Sequence, residues 1–284
     1  MPELPEVEVV RSGLAPRLEQ RRIAAARILH PRAIRHNEDS PEAFAAQLCG
    51  RQIEAVSRRG KFMWLRLDGE EAVVVHLGMS GQMLLSTDPH AHDSHPHLRA
   101  ALQLEYGPAV WFVDQRTFGY WRLDELVSLG EQEQRIPASI SHIARDLLDP
   151  EVSMPQVAAG LKQRARPIKA LLLEQTIVSG VGNIYADEML WAAGIAPTRS
   201  AQRISLQRLR ALLESGQQVM RRALAQGGTS FDDLYVNVNG ASGYFARSLN
   251  AYGQEGLPCA RCGTEIRRIT VVGRSTYFCG RCQH

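Results

Sequence analysis

Two CxxC pairs, Cys259-Ala-Arg-Cys262 and Cys279-Gly-Arg-Cys282, fall within the last 26 residues of the chain, with 16 residues between them. Each pair offers two thiolates from one short segment, so together they match the four ligands of a tetrahedral metal centre. Such clustering argues against a spread disulfide framework and for metal binding in a reducing compartment. The intervening RRITVVGRSTYF alternates as two strands around Gly273, which sets the pairs at neighbouring ends of a small hairpin. The pattern points to a zinc ribbon holding one structural Zn²⁺ through Cys259, Cys262, Cys279 and Cys282, with an iron–sulfur site or a redox pair as alternatives. Four thiolates close the coordination sphere, so the metal is expected to fold the tail and not to perform chemistry. The fifth cysteine, Cys49, reads as a plain buried or half-buried thiol.

The remainder of the chain must supply the chemistry. At 284 residues, 44% hydrophobic and 22% charged, it can bury one large or two ordinary cores. No apolar stretch reaches the roughly 18 residues of a membrane span, and the start MPELPEVEVV is acidic where a signal peptide is basic. A cytoplasmic protein is therefore expected. The net charge of +3 is far from the strongly basic balance of many nucleic-acid binders. Its placement is more telling: Arg261, Arg267, Arg268, Arg274 and Arg281 face only Glu255 and Glu265 after position 254, so the tail holds the whole excess. Further basic charge is grouped in Arg58-Arg59-Lys61 and in Lys162, Arg164, Arg166 and Lys169. Only three basic residues are lysines, Lys61, Lys162 and Lys169, and an amine in an Arg-rich chain is a better candidate for proton transfer than a guanidinium.

Patterning divides the chain. Residues 1–20 read as a short extended start and a helix with Pro5 near its first turn and Val7, Val10 and Leu14 on one face. From 21 to 125 the segments RRIAAARIL, RQIEAVSRRGKFMWLRL, EAVVVHLGMSGQMLL, RAALQLEYG and AVWFVDQRTFGYWRL are strand-like, with one helix from Pro41 to Cys49. This predicts a β-sandwich or barrel over 1–130. Residues 131–160 read as a linker and the start of a helical part, in which IKALLLEQTIV, NIYADEMLWAAG and SLQRLRALLESGQQVMRRALAQGG form helices. A Gly-, Asn- and Ser-rich stretch follows from Gly227 to Gly243, too long for an ordinary connection, and the ribbon occupies 251–284.

Removal of the initiator Met would leave Pro2 as a free secondary amine beside Glu3 and Glu6. An α-amino group titrates near pH ~8, so a useful fraction is a nucleophile at neutral pH and can form a Schiff base with a sugar aldehyde carbon. Glu3 could then shuttle protons.

Taken together, seven ordered segments resemble the formamidopyrimidine-DNA glycosylase family, bacterial enzymes that remove oxidised purines from DNA. They are PELPEVE from Pro2, Arg59-Gly60-Lys61-Phe62, HLGMSG from His76, GNIYADE from Gly182, Gly227-Gly228-Thr229, Gly243-Tyr244-Phe245, and Gly273-Arg274-Ser275-Thr276 inside the ribbon. The resemblance implies an α+β protein: an N-terminal β-sandwich with an N-terminal helix, a helix-two-turn-helix domain over 161–250 with a lesion-capping loop at 227–245, and the zinc ribbon. It implies a monomer in the cytoplasm, associated with the nucleoid, whose partner is double-stranded DNA containing oxidised bases or abasic sites.

It also implies roles. Pro2 matches the Schiff-base nucleophile, Glu3 the residue that handles protons during ring opening and base loss, and Glu6 a supporting carboxylate. Lys61 falls on the proton donor of the elimination step and Arg274 on the arginine that grips phosphate. Met79, Arg116 and Phe118 match the side chains that fill the space left by a flipped nucleotide. Lys169 matches a lysine near the lesion and its phosphate, and Asn183 opens a helix whose exposed amides behind a glycine turn form a ready phosphate site. His95 and Arg164 align with DNA-contact positions, whereas the cluster His90, His92, His95 and His97 by itself reads as a polar loop or a metal site. Gln115 and Thr117 depart from the family pattern of Pro and a second basic residue, which puts the reading of the opposite strand in question. Two other functions fit the same residues: an endonuclease VIII type enzyme acting on oxidised pyrimidines, and a non-catalytic DNA-binding scaffold.

Overall fold

A computed structural model describes residues 1–87, 95–129, 135–228, 237–239 and 245–284. The described residues within 1–2, 6–142 and 229–243 form one compact unit, and those within 3–5, 143–228 and 244–284 form another. Among the described residues no helix is long and apolar enough to cross a membrane. Thr229, Gly243 and Tyr244 of the expected capping loop, and His90 and His92, lie outside the described residues.

Helix α1 (Leu4–Leu18) enters the first unit at Glu6 and buries Val7, Val10, Leu14 and Leu18, the face its periodicity predicts. Three of the five strand-like segments are each two strands. RQIEAVSRRGKFMWLRL is β2 (Gln52–Arg59) and β3 (Phe62–Leu67), turning on Gly60 and Lys61. EAVVVHLGMSGQMLL is β4 (Glu71–His76) and β5 (Gly81–Ser86), and AVWFVDQRTFGYWRL is β7 (Ala109–Asp114) and β8 (Tyr120–Ser128). With β1 (Arg21–Ile28), β6 (Leu98–Leu104) and β9 (Arg135–Pro137) they give the antiparallel order β5-β7-β6-β1-β2-β3-β4-β8-β9.

Strand β1 is the corner. It meets β2 through Arg21 and Arg22 and β6 from Ile23 to Ile28, with a register irregularity between Ile23 and Ala25. A strand that changes sheet in this way lets the two halves face each other. Met63, Leu65, Val73 and Val75 from one half and Met83, Leu102, Val110 and Phe112 from the other share one core, closed by α1 and by Phe44 and Leu48 of α2 (Pro41–Leu48). The expected β-sandwich is observed.

The second unit packs α3 (Met154–Lys162), α4 (Ile168–Leu172), α5 (Asn183–Ala193) and α6 (Leu206–Ala225) around one apolar core. Ser205 caps α6 by accepting the Arg208 N–H, and the helix buries Leu209, Leu212, Leu213, Gly216, Val219, Met220 and Ala223 at helical spacing. Helix α4 is only five residues long, where IKALLLEQTIV predicts a longer one. The chain turns away because Gln175 donates to the Leu173 and Val181 carbonyls, at 3.0 Å each, and accepts the Gly180 N–H at 2.9 Å.

The ribbon hairpin pairs β10 (Ile266–Val271) with β11 (Arg274–Cys279). Its two-residue turn has positive φ at both Val272 (50°) and Gly273 (70°), the requirement of a type I′ turn. For β-branched Val272 this is a strained conformation, held by the strands on either side.

Candidate functional site

In the first unit Pro2 is buried, while Met1 is 46% exposed and Glu6 is half-buried in the first turn of α1. Lys61 is not a strand lysine reaching to solvent. It occupies the second position of the β2–β3 turn, where Gly60 takes the left-handed conformation (φ 58°), and is only 6% exposed.

Two loops carry Met79, Arg116 and Phe118, and the structure joins them. Asp114 is fully buried: one oxygen accepts from Ser80 Oγ at 2.5 Å and the Arg116 N–H at 3.2 Å, the other the Gly119 N–H at 2.7 Å. Ser80 Oγ also accepts the Arg116 N–H at 3.1 Å. A Cβ on Gly78 would lie 2.4 Å from the Gly119 nitrogen and the Phe118 carbonyl carbon, so the loop backbones touch and only glycine fits. Above this buried support Met79 (40% exposed), Arg116 and Phe118 (47% exposed) project outward, and Arg116 Nη1 lies 3.9 Å from Met79 Sδ. Thr117 has a positive φ of 54° and its hydroxyl donates to the Arg116 carbonyl at 2.7 Å, while Gln115 is exposed. Exposed apolar tips on a satisfied polar base suit insertion into a stack of bases.

His76 sets the first of these loops, because its Nδ1 accepts the Gly78 N–H at 3.1 Å. Burial, then the charges of Lys61, Arg35 and His36, push its pKa down to about 4. Unfolded chain takes up a proton near the ordinary value of 6.5 and the folded protein does not until about 4. The unfolded state therefore binds more protons in this window, and stability falls as pH drops from 6.5 to 4. Urea titrations should show a shallower fall over that range for His76→Gln than for wild type; parallel curves would exclude this assignment.

His95 accepts the His97 N–H at Nδ1 (3.3 Å) and packs edge-on to Trp111, with ring centroids 6.3 Å apart. Burial, then the His97 charge, lowers its pKa.

In the second unit the amides expected to await a phosphate are already occupied. Glu3 Oε2 accepts the Gly182 N–H at 2.7 Å and the Tyr185 N–H at 3.2 Å, and Oε1 the Ile184 N–H at 2.9 Å. The start of α5 thus holds the chain's own carboxylate, which the helix dipole and three donors favour as the anion. A Cβ on Gly182 would lie 2.3 Å from Glu3 Cδ, so this approach requires glycine.

Lys169 is fully buried as well, and Nζ meets Asp187 Oδ1 at 2.7 Å, Thr276 Oγ1 at 2.8 Å and the Ser275 carbonyl at 3.1 Å. Burial pushes the Asp187 carboxyl up to about 7, with Lys169 pulling the other way, and lowers the Lys169 amine. Thr276 passes the contact on, donating to the Arg274 carbonyl at 3.1 Å, and Asn183 Nδ2 donates to the Ser275 carbonyl at 2.9 Å. Lys169 and Asn183 therefore support the hairpin from which the exposed Arg274 projects.

Much of the clustered positive charge is engaged internally. Arg58 binds Glu8 at 2.9 Å, Arg166 pairs with Glu174, and Lys162 donates to the Gln202 and Ile204 carbonyls at 2.6 and 2.9 Å. Arg164 is exposed and donates to the Gly160 carbonyl. Arginine and lysine counts alone cannot separate such structural cations from those presented to a ligand.

Cys259, Cys262, Cys279 and Cys282 offer sulfurs that all lie within 4.8 Å of one another. Two of the sulfur–sulfur edges, 4.0 Å for Cys259–Cys282 and 3.6 Å for Cys262–Cys279, bracket the roughly 3.8 Å edge of a tetrahedron with Zn–S near 2.3 Å. Trp191 Nε1 donates to Cys259 Sγ at 3.4 Å, and the Arg261 guanidinium covers the Trp191 ring at 4.0 Å. The donor set and spacing fit one structural zinc ion. Chelation should therefore raise amide exchange throughout 256–284 and shift Trp191 fluorescence; unchanged exchange in the chelated protein would show that the ribbon holds without metal.

Comparison with known proteins agrees along the whole chain. Three family models match in order: the formamidopyrimidine-DNA glycosylase N-terminal domain over 1–121, its H2TH domain over 143–234, and the zinc finger found in FPG and IleRS over 256–284. The formamidopyrimidine-DNA glycosylase of Corynebacterium efficiens is 58% identical, the match covering 100% of this chain and 99% of that protein. The chain belongs to the formamidopyrimidine-DNA glycosylase family. The namesake from Mycolicibacterium gilvum is 53% identical over 100% of this chain and 98% of its own length. Among solved structures, Lactococcus lactis Fpg bound to DNA containing an abasic site superposes with a TM-score of 0.83 at 29% identity, covering 99% of both chains. The same Lactococcus protein bound to DNA with an oxidised pyrimidine gives 0.83 at 29% identity over 100% of both chains.

The family motifs do not show which buried side chains support them. Ser80 belongs to HLGMSG and Asp114 to the strand-like AVWFVDQRTFGYWRL, yet nothing in sequence shows that one buried carboxylate joins two loops 34 positions apart. Asp187 and Thr276 are likewise visible only as members of GNIYADE and GRST. Their polar type shows that each needs a partner once buried, and it does not name that partner.

Proposed function

We propose that this chain is a bifunctional DNA glycosylase and abasic-site lyase that acts as a monomer on duplex DNA in the cytoplasm and excises oxidised purines such as 8-oxoguanine and formamidopyrimidines. Met1 is removed and the Pro2 nitrogen attacks C1′ of the damaged nucleotide. A C1′–N bond to Pro2 forms as the glycosidic bond breaks, and the base leaves with its electron pair and a proton. Ring opening gives an iminium ion. Loss of a C2′ proton then expels the 3′ phosphate, a second elimination expels the 5′ phosphate, and water releases the sugar fragment from Pro2.

Glu3 carries this reading. Its carboxylate is fixed by three backbone amides immediately after the nucleophile in sequence, a placement for a fixed negative charge against a cationic iminium and for proton exchange with the opening ring. Lys61, rigid on its turn, is assigned the proton transfer of the elimination, with Glu6 in support. Arg274 is assigned the phosphate, and Lys169 and Asn183 act largely by holding its hairpin. Met79, Arg116 and Phe118 fill the vacated stack, with His95 and Arg164 as outer DNA contacts.

Borohydride reduction of the Met-processed protein with an abasic-site duplex should trap a covalent adduct through Pro2, and absence of the adduct would refute the mechanism. A second reading, excision of oxidised pyrimidines, draws support from the Lactococcus complex with such a lesion. Parallel assays on 8-oxoguanine opposite cytosine and on thymine glycol decide between them, and predominant thymine-glycol excision would reverse the substrate assignment.

A further inference from the structure

Arg35 stands outside every motif described above. It follows the 3-10 turn Pro31–Ile34 on the surface of the first unit. Its Nη2 donates to the Phe118 carbonyl at 2.8 Å and its Nη1 to the Gly119 carbonyl at 2.7 Å, with a further bond from Nη1 to the Arg32 carbonyl at 3.0 Å. The same guanidinium lies 4.9 Å from the centre of the Tyr120 ring, against which His36 packs edge-on at 4.4 Å. Asn37 then donates to the Trp121 carbonyl at 3.0 Å and accepts the Leu123 N–H at 3.0 Å. Residues 35–37 are therefore fastened side by side to the chain leaving the Arg116–Phe118 loop.

We infer that Arg35 is a positioning residue that holds the 115–119 loop, and with it Arg116 and Phe118, in the geometry needed to enter the space left by a flipped nucleotide. The inference rests on the glycosylase reading for its function. Asp114 restrains this loop from the inner side through the Arg116 and Gly119 amides. Arg35 restrains it through the opposite groups, the carbonyls of Phe118 and Gly119. A residue with a positive φ, Thr117, lies between the inner anchors, so the loop is bent into a shape its own backbone does not prefer. A planar guanidinium can bond two adjacent carbonyls and stack on Tyr120 at once, which an ammonium on a flexible stem cannot. Pushing an exposed phenylalanine between bases loads this loop, and an anchored carbonyl beside that residue resists recoil.

The test uses the full-length, Met-processed protein with Arg35→Ala, Arg35→Lys and Phe118→Ala, singly and as the Arg35→Ala/Phe118→Ala double variant. In the free protein, Arg35→Ala should speed exchange of the 115–119 amides about tenfold while β3 amides keep their protection. On DNA, the ratio of nicking at a paired 8-oxoguanine to nicking of the same lesion in single strands should fall about tenfold, with Arg35→Lys between. Because Arg35 acts through the loop that carries Phe118, its loss should cost clearly less once Phe118 is alanine, the remainder acting through Arg116. Unchanged loop exchange, or losses that simply multiply in the double variant, would overturn the inference. A wild-type protein that nicks neither substrate would refute the glycosylase reading, and the exchange measurement would still decide whether Arg35 holds the loop.

Discussion

Residues left uncleaved ahead of Pro2 are expected to abolish nicking of an abasic-site duplex, by about 10³-fold or more, while leaving duplex binding in place. The physical reason is local. A terminal proline nitrogen has a free lone pair, whereas the same nitrogen in a peptide bond shares it with the carbonyl and is no longer a nucleophile. Pro2 can act only as the terminal residue, so mass spectrometry should find the active preparation starting at Pro2 and any inactive fraction retaining residues ahead of it. Pro2→Gly keeps a terminal amine but loses the ring, and its nicking should be reduced but present. Wild-type rates from an N-terminally extended protein would remove Pro2 from the mechanism.

Above about pH 7, where Asp187 is ionised, Asp187→Ala is expected to cost about 3–5 kcal/mol of stability, because it leaves Lys169 charged and buried without its carboxylate. Both side chains of the pair are 0% exposed, so bulk solvent does not screen the charge that remains. Lys169→Met/Asp187→Leu, which removes both charges, should recover most of the loss in urea denaturation, and a single variant no worse than this double would contradict the account. The pH dependence has a defined sign. Burial raises Asp187 from 3.8 to about 7, so between those values the folded state holds a proton that the unfolded state has released. Its contribution therefore declines as pH rises from 3.8 towards 7, and Asp187→Asn should flatten that decline. Activity at the proposed elimination step should fall with the same variants, since Thr276 connects Lys169 to the Arg274 backbone.

Several parts of this molecule were legible from the residues. The buried face of α1 follows from the spacing of Val7, Val10 and Leu14, and the ribbon from the two CxxC pairs and Gly273. Strand-like composition identified the first unit but not its corner: the alternation of RRIAAARIL does not reveal that β1 leaves one neighbour for another after Arg22. Helix α5 was legible as a helix from its pattern, but not its burial: Tyr185 to Trp191 are buried in succession, Asp187 and Glu188 among them, so residue polarity does not mark an exposed face. Its N-terminus was read as a phosphate site because an unsatisfied helix start attracts any anion. The anion that occupies it, Glu3, lies about 180 positions earlier, a separation no local pattern reports.

The charge of the tail shows the same division. Sequence by itself determined that four thiolates bind one ion, that the formal excess of +3 resides beside them, and that Pro2, Glu3, Lys61 and Arg274 stand in family register. These properties depend on residue type and short spacing, which covalent connectivity conveys. Tertiary structure decided which charges are presented and which are internal: Lys169 and Asp187 neutralise each other in the core, Lys162 binds carbonyls, and Arg274 projects from a supported hairpin. It also decided that Asp114 and Arg35 grip one loop from opposite sides. Desolvation and hydrogen-bond partnership arise only when distant segments meet, so a side chain's part in the chemistry is fixed by what the fold places around it.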